Sequence, residues 1–315
     1  MKTVKYLLAF FFVFLAVFMC GCSHSAKTSA EKAISKDLDL LKNLDSDTTM
    51  KYISYQELFP DSENNAELSD DIKEVFSLFF RNFDYKILDI SVDQNQKTAS
   101  ALIRLTTLDA EALAKDFISA SLQNEILETA SGEENTDKNS NSLEERYLLL
   151  HKLLKNNSYN TAERNTSVQL INHGSSSEPD WEITHSASLE NDLVGGLISY
   201  LSDPDLVPPD KTLDIYLKTL QDMDVQQMAN YLGLDSILNT SDSAKNAIAS
   251  ALMEQFHSYF NYKITDTSAS GYSATVNAEL TTFDSDSILS QNEEELNTYL
   301  DSADAVIDGS QKRYN

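Results

Sequence analysis

The 315-residue chain has only two cysteines, eight glycines, five prolines and one tryptophan, and its 24 basic residues face 50 acidic ones for a formal charge of −26 at pH 7. Each shortage excludes something. The few glycines form no dinucleotide or P-loop pattern in which backbone N–H groups could cradle a phosphate, and no cofactor is expected. The nucleophile-elbow and zincin patterns are absent too, and no catalytic residue is assigned. An acidic surface without a Lys/Arg cluster among aromatics repels phosphate polymers, so nucleic acid is not an expected partner. His151, His173, His185 and His257 include no pair spaced as ligands on one helix. "FDSDS" offers Asp284 and Asp286 but lacks the turn glycine and closing glutamate of a calcium loop. No metal site is expected.

There is also no apolar run long enough to span a bilayer. The longest, Tyr6 to Met19, has 14 residues, whereas a spanning helix needs roughly 20. It follows Lys2 and Lys5 and ends in "MCGCSH", the three-part plan of an export signal. Both cysteines, Cys20 and Cys22, stand at its end, and small Gly21 immediately precedes Cys22. This stretch resembles the lipobox of bacterial lipoproteins. The resemblance implies cleavage between Gly21 and Cys22, with Cys22 the lipidated first residue and the membrane a partner through that anchor. The expected mature chain, 22–315, keeps 22 basic and 50 acidic residues, a formal −28. Its single thiol would be acylated, leaving neither an internal disulfide nor a cysteine nucleophile.

What the sequence does contain is one sentence written twice. "FDYKILDISVDQNQKTASALIRLTTLD", Phe83 to Asp109, is echoed by "FNYKITDTSASGYSATVNAELTTFD", Phe260 to Asp284. In both, small and apolar residues alternate with polar ones at period two: Ala99, Ala101, Ile103 and Leu105, then Ala274, Val276, Ala278 and Leu280. Each segment reads as an antiparallel hairpin whose turn lies at "DQNQ" or "ASGY". Each follows a helix, carrying Ile72, Val75, Phe76, Phe79 and Phe83 in one copy and Ile248, Leu252, Phe256 and Phe260 in the other. "LLKNLDSD" at Leu40 and "YLKTLQDMD" at Tyr216 extend the echo upstream, while Asp109 and Asp284 are placed to cap a following helix.

Only the first copy continues, through a polar stretch at 131–142 that reads as a mobile insert. A helix capped by Ser142 and Glu145 follows, then a second hairpin with Val168, Leu170 and Asn172 returning through Trp181, Ile183 and His185. The expected organisation is a signal peptide over 1–21, a tether over 22–33, a first domain over 34–205 and a second over 206–315, divided at the prolines of "SDPDLVPPDK". The second copy reaches "RYN" with nothing to match Val168 through His185, so its sheet is expected to be short of two strands. Cover from within the chain is expected for that edge, and a strand added by a partner is the alternative.

Helices packed on a curved antiparallel sheet make an α+β fold. The element order, the paired "YKI" and "LTT" segments and the terminal "W-E-I…GGL" pattern resemble the NTF2-like, or cystatin-like, domains that occur in tandem in lipoproteins of Gram-positive bacteria. The resemblance implies a lipid-anchored protein on the extracellular face of the cytoplasmic membrane. Because such folds host many functions, the leading expectation is a non-catalytic module that binds a small ligand or a surface protein. Trp181 and His185, on one strand face at the mouth of the sheet, are the candidate pocket residues. The alternatives are the binding component of a solute importer and a hydrolase or isomerase using the domain's cone. Importer components alternate strands and helices around a parallel sheet, unlike this chain, and the enzyme needs convergent polar groups.

Overall fold

The structure, a computed structural model, describes residues 25–43, 58–59, 70–93, 95, 97–131, 142–234, 242–271 and 273–302. The chain divides into two compact units, Met1–Asn124 with Asn135–Pro208, and Glu125–Glu134 with Pro209–Asn315. The architecture is α+β, with one open antiparallel sheet of four strands and another of two.

In the first unit, helix α1 spans 25–42 and buries Ala26, Ala30, Ile34, Leu38 and Leu41 at helical spacing. Residues 25–33, expected within a tether, are therefore helical, because Ala26 and Ala30 extend the buried stripe by two turns. Helix α2, Asp70–Phe79, passes through a 3₁₀ turn, Phe80–Asn82, into strand β1, Asp84–Val92. Val75, Phe76, Phe79 and Phe83 are buried as their spacing demands. Strand β2, Thr98–Leu108, pairs with β1 on one side and β3, Thr161–Asn172, on the other, and β4, Trp181–Ile183, completes the order β1-β2-β3-β4. Between β2 and β3 the chain forms helices α3, Ala110–Ser131, whose last turns from Glu125 belong to the second unit, and α4, Leu143–Asn156. Asp109 caps α3, accepting the Ala112 N–H at 3.3 Å, and Ser142 caps α4, accepting the Glu145 N–H at 3.2 Å. Of the expected insert at 131–142, all but the two end residues lies outside the described residues.

The core fills the space between sheet and helices. Ala101, Ile103, Leu105, Val168 and Leu170 form the inner face, none more than 2% exposed. Phe59 stacks on Phe117 with centroids 5.3 Å apart and meets fully buried Tyr147 edge-on at 5.2 Å, pairings worth about 0.5–1.5 kcal/mol each beyond area burial. After β4, helices α5, Ala187–Leu193, and α6, Leu197–Leu201, are joined through Gly195 and Gly196 at φ +66° and +87°.

The second unit repeats the opening of this plan. Helices α7, Pro209–Asp222, α8, Val225–Tyr231, and α9, Ser243–Tyr259, precede strands β5, Asn261–Ser270, and β6, Ser273–Thr281, and helix α10, Ser285–Leu300, follows. The hairpins match even in their irregularity. Tyr85 pairs with Leu105 and Ile87 with Ile103, the register shifts between Ile87 and Asp89, and Ile90 meets Ala101. Likewise Tyr262 pairs with Leu280 and Ile264 with Ala278, the shift falls between Ile264 and Asp266, and Thr267 meets Val276. Each "YKI" tyrosine donates its hydroxyl to an aspartate on the unit's first described helix, Tyr85 to Asp39 and Tyr262 to Asp214, both at 2.8 Å. Burial of Tyr262, reinforced by the Asp214 carboxylate, pushes its phenol up to about 12.

Burial is where the copies part. In the first unit α2 packs against α4. No described element of the second unit takes the place of α4, β3 or β4. Ile248 and Leu252, expected to point inward from α9, are 62% and 40% exposed, and Ala249 and Met253 face the core instead. Helix α10 buries no residue, although Leu113 and Phe117 of its counterpart α3 are both buried.

Candidate interaction edge

The inner face of the first sheet is buried under the helices, and the tryptophan lies at its margin. Trp181, 7% exposed, helps line an open groove of about 410 Å³ between β4 with its preceding turn and α1, with Lys32, Lys36, His173, Asp180 and Glu182 among the lining residues. The lining charges nearly cancel, and His173 Nε2 lies 3.1 Å from Glu182 Oε2. The buried indole Nε1 of Trp181 meets no acceptor among the described residues.

His185 does not join Trp181 there. Strand β4 ends at Ile183, so the alternation that would put both side chains on one face stops two residues short. His185 is about one-third exposed, with Nδ1 3.8 Å from Glu190 Oε1 on α5. Cys22 and Gly21 lie outside the described residues. Among the described residues no group of three or more His, Cys, Asp or Glu side chains could hold a metal ion, and no helix is long and apolar enough to cross a membrane.

Two polar clusters escaped the sequence reading because their members are distant in the chain. Asp192 on α5 accepts from Thr166 Oγ1 at 2.6 Å and Arg164 Nη1 at 3.2 Å, both on β3. Gly196 makes room for that guanidinium, since a Cβ there would fall 2.7 Å from Arg164 Nη1. Glu74 on α2 meets His151 Nε2 of α4 at 2.8 Å and Lys155 Nζ at 3.7 Å. The His151 hydrogen bond, helped by the Lys155 charge, holds the Glu74 carboxyl below its ordinary range. Both clusters join one element to another.

The feature most at odds with a self-contained fold is strand β6. Its counterpart β2 is paired along its second edge with β3, from Thr98↔Ile171 to Leu108↔Thr161. No described strand lies beyond β6. Natural sheets blunt such edges with bulges and charges. The outer strands β1 and β5 are blunted in this way: each belongs to a ladder with a register shift, β1 carrying Lys86 and Asp89, β5 Lys263 and Asp266. Strand β4 has only three residues. By contrast β6, "SATVNAELT", holds nine residues, one charge and no proline. Its register opposite β5 repeats that of the inner strand β2 opposite β1, so it stands where the first unit has a strand paired on both edges.

Orientation follows from alternation. Thr265 Oγ1 of β5 donates to the Asn277 carbonyl at 3.2 Å, so the Asn277 backbone faces β5 and the backbone groups of Val276 and Ala278 face away. The first unit behaves alike: Asn172 N–H bonds the Lys97 carbonyl and Asp109 N–H the Asn160 carbonyl, placing the odd-numbered residues of β2, among them Ala101, Ile103 and Leu105, toward β3. Leu105 is 1% exposed and its counterpart Leu280 58%. Compared with known proteins, the chain matches no family model, no curated protein and no solved structure.

Proposed function

We propose that the protein is a lipid-anchored module on the extracellular face of the bacterial cytoplasmic membrane, without catalytic activity, that binds by accepting a strand at the β6 edge. In this reading both units are NTF2-like, the first a complete support and the second the recognition element. The observation that carries it is the unblunted edge of β6 beside exposed Leu280. Strand addition supplies affinity through main-chain hydrogen bonds and specificity through alternate side chains. The "MCGC" segment supports the anchor, with Cys22 as its attachment point. The burial of the inner face of the first sheet favours this reading over an enzyme working in the cone.

The test is a single thiol on the edge, Thr275→Cys, probed on intact cells with a membrane-impermeant maleimide. Cys22 is acylated in this reading, so the new thiol alone reacts. Labelling of intact cells is expected, with Cys22→Ala added as a control that frees the mature protein into the medium or leaves an uncleaved precursor. Labelling only after lysis overturns the location. Slow amide exchange at Val276, Ala278 and Leu280 in the single chain, whose N–H groups point away from β5, overturns the open edge. Membrane retention of a cleaved Cys22→Ala protein overturns the anchor.

A further inference from the structure

The residues of β6 point to what sits beside it: we infer that the strand taken up at this edge is β6 of a second copy of the chain, making a two-fold symmetric sheet in the order β5-β6-β6-β5. The inference rests on the open edge argued above and goes beyond it by choosing the occupant.

The choice comes from the strand's own pattern. Antiparallel pairing of β6 with itself about Asn277 sets Ala274 opposite Leu280 and Val276 opposite Ala278, so the apolar faces of the two copies coincide. On the other face Ser273 meets Thr281, Thr275 meets Glu279, and Asn277 meets its own image. All nine residues are used. A one-residue slip sets apolar residues opposite polar ones, and a two-residue slip shortens the ladder. The charges agree as well. Glu279 is the strand's only charge, and this register sets it against a threonine hydroxyl, with the two carboxylates four residues apart along the ladder, about 13 Å at the rise of a strand. Centring the pairing on Glu279 instead would put like charges face to face.

The backbone geometry fits. With the Asn277 groups turned toward β5, the two Asn277 residues would form a non-hydrogen-bonded pair, while Val276 and Ala278 exchange N–H···O bonds across the axis. The chain's other described outer strands complement β6 less well, since β1 and β5 face register shifts and carry charges of both signs, and β4 is short. An unrelated strand could also bind, but none would match every position by construction. Two chains tethered to one membrane would also meet at raised local concentration.

The test exploits the two-fold axis. In a non-hydrogen-bonded antiparallel pair the Cα atoms lie about 4.5 Å apart, within the span of a disulfide. Asn277→Cys in the full-length lipoprotein, held in detergent and treated with copper–phenanthroline, should give covalent dimers. Thr275→Cys, about 13 Å from its image along the strand, should stay single. Sedimentation of the unmodified protein supplies a measurement that no substitution can disturb, and the two-chain mass should grow with concentration. A single-chain mass at every concentration overturns the inference. So does equal cross-linking of both variants, which marks random collision, and so does a dimer in which Asn277→Cys fails to link although its far-UV ellipticity is that of the parent. If the protein is single-chain yet the Val276, Ala278 and Leu280 amides exchange fast, the second copy is ruled out and the open edge stands.

Discussion

Leu105 and Leu280 occupy the same place in the two copies of the hairpin, opposite Tyr85 and Tyr262, and truncating each to alanine should have unequal effects. Leu105 is 1% exposed, so Leu105→Ala loses the transfer free energy of the removed atoms and leaves a cavity, together about 2–5 kcal/mol. Leu280 is 58% exposed; less than half of its roughly 1.5–3 kcal/mol burial contribution is realised in a single chain, and no closed cavity forms, so the loss should be about 1 kcal/mol or less. Urea unfolding of dilute protein reads both. The single tryptophan, Trp181, lies in the first unit and reports on Leu105→Ala by its emission. At a slope of roughly 2 kcal/mol/M the midpoint should fall by about 1–2.5 M. Leu280→Ala, followed by far-UV ellipticity, should move its transition by roughly 0.5 M or less. Equal losses at the two positions would mean that Leu280 is covered in the isolated chain, and the reasoning from exposure would be wrong.

Gly196→Ala should lower the thermal midpoint of the first unit, because alanine at φ +87° is strained by about 1–3 kcal/mol and its Cβ collides with the guanidinium that Asp192 holds. Gly233→Ala places an alanine at a similar positive φ but with open space around it, so the smaller loss expected there separates strain from collision. The Glu74 carboxyl is depressed by His151 and Lys155, so its contribution is present above the unfolded value near pH 4.3 and is lost as pH falls through the lower folded value. Glu74→Gln should therefore be less stable than the parent at neutral pH, and their urea midpoints should converge in more acidic solution, where the parent carboxyl is protonated.

Local pattern revealed most of the first unit. The stripe Val75, Phe76, Phe79, the caps at Asp109 and Ser142, and the alternation through Val168, Leu170 and Trp181 each depend on neighbours a few residues away, so spacing alone identifies them. The same stripe logic went astray at Ile248 and Leu252. Periodicity shows which face of a helix is apolar but not whether anything packs on it, and no described element of the second unit takes the role of α4. Two alanines one helical turn apart were hidden for a related reason: Ala26 and Ala30 lie in a Ser/Ala/Lys stretch that reads as solvated until the larger side chains of α1 carry the buried face to it. His185 failed by reach, since the pairing of β4 ends at Ile183 and the alternation with it. The clusters around Asp192 and Glu74 span 28 and 77 residues in the chain, and no spacing rule connects such positions.

Strand β6 stands where the first unit has the inner strand β2 and lacks a neighbour among the described residues, and the most direct measurement compares equivalent backbone amides in one dilute sample by hydrogen exchange. Ala101, Ile103 and Leu105 direct their N–H groups toward β3, while Val276, Ala278 and Leu280, at the same positions of the second hairpin, direct theirs outward from β6. The account predicts slow exchange for the first three and exchange orders of magnitude faster for the second three, with Thr275 and Glu279, which face β5, less exposed than their neighbours. If Val276, Ala278 and Leu280 exchange as slowly as Ala101, Ile103 and Leu105 in a sample that sediments as single chains, the edge is closed within the chain and the claim is contradicted.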